Sequence, residues 1–398
     1  MYRMLPDDIE IYIHIPFCIS KCNYCDFLSF PCDKKSRQAY VEALLREIVF
    51  DASIVNQSGS KVSSIFVGGG TPTVLSANQL KEIFTCLKDH FQVRPDAEIT
   101  VEANPGTLTL EKLGALYESG VNRLSMGLQT SDDSLLKVLG RIHNWEEFTD
   151  NYSNARKMGF DNINIDLMSS LPGQTLDGYE KTLETVLNLK PDHISSYSLI
   201  IEEGTPFASS EDILAKIPDE DTDRLMYERT KEILHQYGYE RYEISNYAKP
   251  GRECRHNLGY WSDVPYLGVG LGASSYIRYA EEEYAFLPAV RFRNTTDIKA
   301  YLKDIRPWND RDEYITLSVT DQMEEFMFLG LRKMKGVSAK DFARKFGKNL
   351  EEIYGKVIVK YIRTGFLQWK SDYLSLTDQG IDVSNHIFSE FLFDETNR

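Results

Sequence analysis

Six strand-like runs, each of the first five followed by a helical pattern, fill the first half of the sequence, and this alternation limits the fold more than any other feature. The runs are "IEIYIHI" (9–15), "VSSIFV" (62–67), "EITVEA" (98–103), "RLSMGLQ" (123–129), "NINIDLM" (162–168) and "HISSYSLI" (193–200). Helical periodicity follows from Arg37 to about Ser53, from Ser76 to His90, from Thr109 to Ser119, onward to Met158, and from Leu176 to Leu189. Parallel strands need a crossover between them, and a helix is the usual one. The repeat therefore predicts an α/β fold, a parallel sheet with helices outside. Six units curling one way form a partial (β/α)6 barrel. Working residues in barrels gather at the C-terminal ends of the strands. A cysteine-rich loop (18–25), "GGGTP" (68–72), Glu102, Gln129 and Asp166 all fall at such ends.

After about Pro206 the pattern changes. A helix is expected from Asp219 to Tyr237, followed by a loop-rich stretch, "ISNYAKPGRECRHNLGYWSDVPYLGVGLGASSY", and then by helices from about Asp321. These are "DQMEEFMFLGLRKM", Ala339–Phe346 and Leu350–Thr364, ahead of a hairpin in "GFLQWKSDYLSLT" and a last helix in "DQGIDVSNHIFSEFLF". The expected organisation is a barrel over 1–240, a loop-rich segment over 241–305 and a mainly helical, winged-helix-like domain over 306–398. An apolar content of 42% suffices for a sizeable core, and a net charge of −15 argues against unaided binding to nucleic acid or anionic membrane. No basic start leads into a long apolar stretch, and no run approaches ~18 apolar residues. No signal peptide and no membrane span are therefore expected, and the protein reads as cytoplasmic.

Six cysteines in 398 residues are too few for a disulfide scaffold. Three of them, Cys18, Cys22 and Cys25, stand as C-x3-C-x2-C just after the first strand. A zinc site would need a fourth ligand, for which Cys32 and His14 are the candidates. A [4Fe–4S] cluster can instead sit on three thiolates with one iron left open. Spacing alone leaves both readings standing. "GGGTP" reads either as a tight turn using φ > 0 or as a close backbone approach to a ligand.

Taken together, "CISKCNYC" and the following "GGGTP" resemble the radical SAM (S-adenosylmethionine) superfamily. The resemblance implies that the amino and carboxylate groups of SAM complete the fourth iron. It also implies an electron donor for the cluster, whose electron cleaves SAM to a 5′-deoxyadenosyl radical and methionine. "YIHIPFC", "YCDF", "VEANPGTL", "RLSMGLQT", "LGRIHN", "INIDLMSSLPGQT" and "SSYSLIIEEGTPF" resemble a narrower group, the oxygen-independent coproporphyrinogen III oxidase family and its relatives. That likeness implies SAM contacts from Tyr12, Glu102 and the Gly69–Gly70–Thr71 turn. Tyr24, Gln129, Arg141 and Asp166 match positions around a second SAM site. The competing reading is a solvated Glu102 and an Arg141–Asp166 ion pair.

Two departures from the oxidase pattern point to a sister branch, the radical SAM-type heme chaperones. Phe27 stands where the oxidase carries a further cysteine, and the first motif cysteine comes as early as position 18. "HNLGYW" (256–261) also matches the H-N-x-x-Y-W motif of that branch. The resemblance implies heme and a heme-acceptor protein as partners, with His256 as an axial ligand. Tyr260 and Trp261 are expected to pack on the porphyrin, with Arg252 and Arg255 meeting its propionates. Cys254 is a further candidate ligand or attachment point. The competing reading makes "HNLGYW" a structural loop. Oxidative decarboxylation of coproporphyrinogen III is the alternative function, and a zinc-stabilised binding protein the third.

Overall fold

The computed structural model describes residues 3, 4, 8–280 and 289–393. Its central sheet contains the six expected strands, β1 (Asp8–Ile15), β2 (Lys61–Gly69), β3 (Val93–Ala103), β4 (Arg123–Gln129), β5 (Ile163–Ser169) and β6 (His193–Ser198), parallel and in sequence order. Outward-facing residues of these strands are apolar, as in Ile9, Ile11 and Ile13 or Ile165 and Leu167, and they join one core with the surrounding helices. Inward-facing residues are polar: Glu10, Ser64, Glu98, Arg123, Asn164 and His193 are all buried. A parallel sheet is ordinarily apolar on both faces, so the polar lining sets this interior apart.

The helices are α1 (Lys34–Ser58), α2 (Ala77–His90), α3 (Leu110–Glu118), α4 (Asp133–Val138), α5 (Trp145–Met158), α6 (Leu176–Leu187) and α7 (Glu220–Gln236). Ser76 and Asn144 start their helices with capping boxes. The restart at Asn144 splits the helical pattern that the sequence carries on to Met158, and it frees a short loop bearing Arg141.

The stretch that reads as loops from its glycines is built largely of regular elements. Strand β7 (Asn246–Ala248) pairs antiparallel with β6, and a short helix, α8 (Arg255–Trp261), follows. Strand β8 (Tyr266–Val269) lies parallel to β1 on the side away from β2. Beyond it β9 (Ser274–Ala280), β10 (Ala289–Arg293) and β11 (Asp312–Leu317) add antiparallel strands. Helix α8 seals the end of the barrel where the strands begin. Gly259 faces the Glu10 carboxyl so closely that a Cβ there would lie 2.0 Å from an oxygen.

Residues 319–393 form a second core around Phe342, Phe346, Tyr354, Ile358, Leu374 and Phe391. Helices α9 (Val319–Gly330), α10 (Ala339–Phe346) and α11 (Leu350–Arg363) pack with a small three-stranded antiparallel sheet. Three helices and a hairpin are what the sequence suggests. The expected last helix is broken at Val383, whose φ of −116° and ψ of 23° leave helical geometry.

Candidate functional site

At the C-terminal ends of β1 to β6 lies a cavity of about 350 Å3, and Cys18, Cys22 and Cys25 all line it. None is in a disulfide and each is partly exposed. Thr71 donates to the Cys18 sulfur (3.5 Å), Arg141 donates to that of Cys22 (3.6 Å), and Ser29 is 4.0 Å from that of Cys25. Burial pushes the Cys25 thiol up in pKa. Hydrogen-bonded, accessible sulfurs can act as thiolate ligands. His14 and Cys32, the candidate fourth ligands for zinc, are not on this wall. His14 is tied through Nε2 to the Leu28 carbonyl (2.9 Å) and through Nδ1 to the Tyr12 hydroxyl (3.1 Å). Among the described residues no three His, Cys, Asp or Glu side chains come together as ligands of a single metal ion. Three thiols sharing one cavity wall fit a larger group, a cluster of several irons with one position left open.

The glycine run has its conformational reason in the chain itself. A Cβ at Gly68 would lie 2.9 Å from the Glu102 carboxyl, one at Gly69 2.4 Å from the His14 ring, and one at Gly70 2.7 Å from the Phe17 carbonyl. Gly69 also holds φ at 109°. The close approach is to the base of the cysteine loop: the Gly70 and Thr71 amides donate to the Ile15 and Phe17 carbonyls (2.8 and 2.7 Å). The Gly69 amide donates to Glu102 (3.0 Å), which ties β2 to β3 at the cavity edge.

Glu102 is partly buried on the inner face, where it lines the cavity, and is not a solvated strand end. Burial first, and the nearby Asp166 second, push its pKa up to about 8. Asp166 accepts from Asn164 (2.7 Å) and Ser125 (3.3 Å), and burial raises its pKa too. Arg141 does not pair with Asp166. Its guanidinium donates to the Gly127 carbonyl (2.5 Å) and to Asn104 (2.7 Å) as well as to Cys22. Gln129 follows a register irregularity between β4 and β5 and holds φ at 77°, a conformation rare for a non-glycine residue. Its amide oxygen accepts from Tyr197 (3.3 Å). Tyr24, Gly69, Gly70, Thr71, Glu102, Gln129, Arg141 and Asp166 thus meet around the same cavity as the thiols. Tyr12 is not part of this lining. It stacks near Phe66 (6.3 Å between centroids) and lines an adjoining cavity with Tyr260 and Trp261, although Glu102 still bears on its phenol. Tyr197 was not singled out in the sequence. It lines the cavity behind "SSYS", where the only signal is an aromatic at an inward position of a strand end.

"HNLGYW" lies at the opposite end of the barrel, on α8. Two of that helix's free amides, those of Arg255 and His256, donate to the Glu98 carboxylate (3.0 and 3.2 Å), a cap supplied by a distant strand. The His256 ring is buried: Nδ1 meets Ser64 (2.8 Å), Nε2 meets the Tyr260 hydroxyl (3.0 Å), and the ring stacks on Phe66 (5.2 Å). Burial holds its pKa down at about 3. With both nitrogens engaged, the imidazole as placed has no open position for an iron, so the packing role weighed against heme ligation is the one this geometry supports. Cys254 is fully buried beside Glu98 (3.4 Å), and burial pushes its thiol up to about 12, which disfavours a thiolate. Arg252 pairs with Asp161 (3.3 Å), and Arg255 with Asp96 (3.9 Å).

The Radical SAM superfamily matches residues 12–186, and the HemN C-terminal domain matches residues 317–383. The chain is 39% identical over 395 residues to the heme chaperone HemW of Lactococcus lactis subsp. lactis, covering 99% of this chain and 100% of that protein. It is 39% identical to the heme chaperone HemW of Bacillus subtilis (96% and 98% covered) and 33% identical to that of Escherichia coli (96% and 98%). Among solved structures, coproporphyrinogen III oxidase (HemN) from Escherichia coli, a radical SAM enzyme, superposes with a TM-score of 0.81 at 25% identity, over 97% of this chain and 90% of that one. The barrel and the C-terminal domain expected from the sequence agree with that likeness.

Proposed function

The chain belongs to the heme chaperone HemW family of radical SAM proteins, and from that premise we propose that it binds heme and passes it to an acceptor protein. In this reading Cys18, Cys22 and Cys25 hold a [4Fe–4S] cluster, and SAM occupies the adjoining cavity with its polar end on the open iron. When bound, the cluster supplies an electron, drawn from a separate donor. The chain's own residues do the positioning. The Glu102 carboxylate, braced by the Gly69 amide, accepts hydrogen bonds from the SAM amino group. Thr71 and Arg141 stabilise negative charge on the Cys18 and Cys22 sulfurs. Gln129, Tyr197 and Asp166 line the far wall, where a second SAM is the expected occupant. Among the described residues no helix is long and apolar enough to cross a membrane, and the proposed location is the cytoplasm.

One observation favours carrying heme over the oxidase reaction. Phe27, the position where the oxidase branch has a cysteine, is 70% exposed and lines the mouth of the cavity. An apolar ring there offers no ligand, proton or radical carrier next to the cluster. The test is anaerobic reconstitution, followed by heme titration and a coproporphyrinogen assay on one sample. Stoichiometric iron and acid-labile sulfide, heme binding and no protoporphyrinogen are expected. The cluster should be lost on replacing Cys18, Cys22 or Cys25 with Ala, and retained on replacing Cys32, Cys86 or Cys254. Protoporphyrinogen formed with SAM and a reductant would restore the oxidase, and stoichiometric zinc without sulfide would remove the cluster.

A further inference from the structure

Between α8 and the C-terminal helices lies the larger cavity of about 830 Å3, within the range of roughly 300–1,000 Å3 typical of cofactor sites. Its walls combine flat and apolar surface from Trp261, Leu258, Phe326, Phe346 and Met334 with charge of one prevailing sign. Five cationic side chains line it against three carboxylates, in a chain of net charge −15. Two of those carboxylates are already matched: Asp263 meets Arg278 and Lys345, and Asp341 meets Arg344 (2.8 Å). Among the described residues, Lys333 and Lys335 have no such carboxylate partner. Lys333 donates to the Ser262 hydroxyl (2.9 Å), and Lys335 lies over the Tyr373 ring (4.3 Å). Burial and the neighbouring Lys335 together hold the Lys333 ammonium down at about 8. A negatively charged group beside Lys333 would offset part of that burial cost, as Asp341 already does in small part. The Trp261 indole N–H is buried with no partner, a donor that ordinarily finds an acceptor.

We propose that this cavity, and not the imidazole of His256, is the heme site: the porphyrin face lies against Trp261 and Phe326, and its two carboxylates meet Lys333 and Lys335. The assignment rests on the heme-carrying function proposed above. It places the heme at the junction of barrel and C-terminal domain, away from the cluster and against the face of α8 that carries Trp261.

The assay is titration of the reconstituted full-length protein with hemin, and separately with metal-free protoporphyrin and its dimethyl ester, followed by absorbance. Lys333→Glu/Lys335→Glu should weaken hemin and protoporphyrin binding by about tenfold, the size of two charge contacts near a surface. Lys333→Arg/Lys335→Arg should restore it, and the ester should bind the parent and both variants alike. Circular dichroism and iron content report whether each variant is folded; if the double variant is not, Lys335→Glu alone, at an exposed position, carries the test with a threefold effect or more. A parent that binds hemin while the charge-reversed protein binds it equally well overturns this site and leaves the heme-carrying function intact. A parent that binds neither hemin nor protoporphyrin overturns both.

Discussion

If Glu102 holds SAM as proposed, SAM binding is a proton-coupled event. Its carboxyl has a pKa of about 8 against an ordinary 4.5, chiefly because it is buried and faces Asp166. At pH 7 such a group is about nine-tenths protonated, and ionising it costs roughly 1.4 kcal/mol; at pH 6 the cost is roughly 2.7 kcal/mol. If the carboxylate form grips the SAM amino group, affinity should tighten roughly tenfold per pH unit up to pH 8 and level off above it. Calorimetry of SAM binding to the reconstituted protein at pH 6, 7, 8 and 9, in buffers of different ionisation heat, reads both affinity and proton release. The α-amino group of SAM titrates near ~8 as well, so the decisive quantity is the difference from Glu102→Gln. That variant should lose roughly ten- to a hundredfold in affinity at pH 9, the value of a charge-assisted hydrogen bond, and should show a shallower slope below pH 8. Equal slopes in parent and variant would refute the reasoning. The same raised pKa carries a stability consequence. The folded state holds this proton more tightly than the unfolded chain, so the contribution to stability is present below pH ~4.5 and is lost as pH rises through 8. Without SAM the thermal midpoint should fall across that window, and SAM should oppose the fall.

His256→Ala should lower stability by about 2–4 kcal/mol through two lost buried hydrogen bonds and a lost stacked ring, while the heme absorption bands stay in place; a shifted band at saturating heme would make His256 a ligand after all. Glu10, buried at the same end, has its pKa raised to about 9 by burial, so its folded form also favours the proton and its stability contribution fades as pH rises from 4.5 through 9. Glu10→Gln should leave the midpoint nearly unchanged at pH 5 and raise it at pH 8.5, as differential scanning fluorimetry would show; a fall at pH 8.5 would contradict the assignment. Gly259→Ala, with its Cβ driven onto Glu10, should cost about 1–3 kcal/mol by the same measurement, unless the Glu10 side chain swings aside, in which case Gly259→Ala/Glu10→Ala would show no further recovery.

The six parallel strands and most of their helices were legible because each signal was local: Ser76 and Thr109 cap helices within three residues of themselves, and the strands alternate along one short run. That Cys18, Cys22 and Cys25 share one loop was legible for the same reason, and the structure puts all three on one cavity wall. What escaped depends on distant partners. "YLGVGLGASSY" reads as loop because of its glycines, yet Gly268 is required in a strand, since a Cβ there would lie 2.1 Å from the Ser274 carbonyl. Helix α8 is capped by Glu98, more than 150 residues away in sequence, and nothing near "CRHNLGYW" announces that carboxylate. The left-handed turn at Gln129 and the anchoring of Arg141 by Asn104 and the Gly127 carbonyl are likewise tertiary, although both residues were picked out by their motifs.

Strand β1 carries the cysteine loop at its end, and it is flanked by β2 on one side and by β8 on the other. The second flank comes from residues made some 250 positions later. During synthesis the strand bearing the cysteine loop therefore keeps one open edge until two thirds of the chain has left the ribosome, and an open edge is a template for mispairing. Long-range parallel closure of this kind is also slow. If the cysteine loop holds the proposed cluster, and its strand is fixed only once β8 has closed the second edge, loading belongs late, on a nearly complete polypeptide.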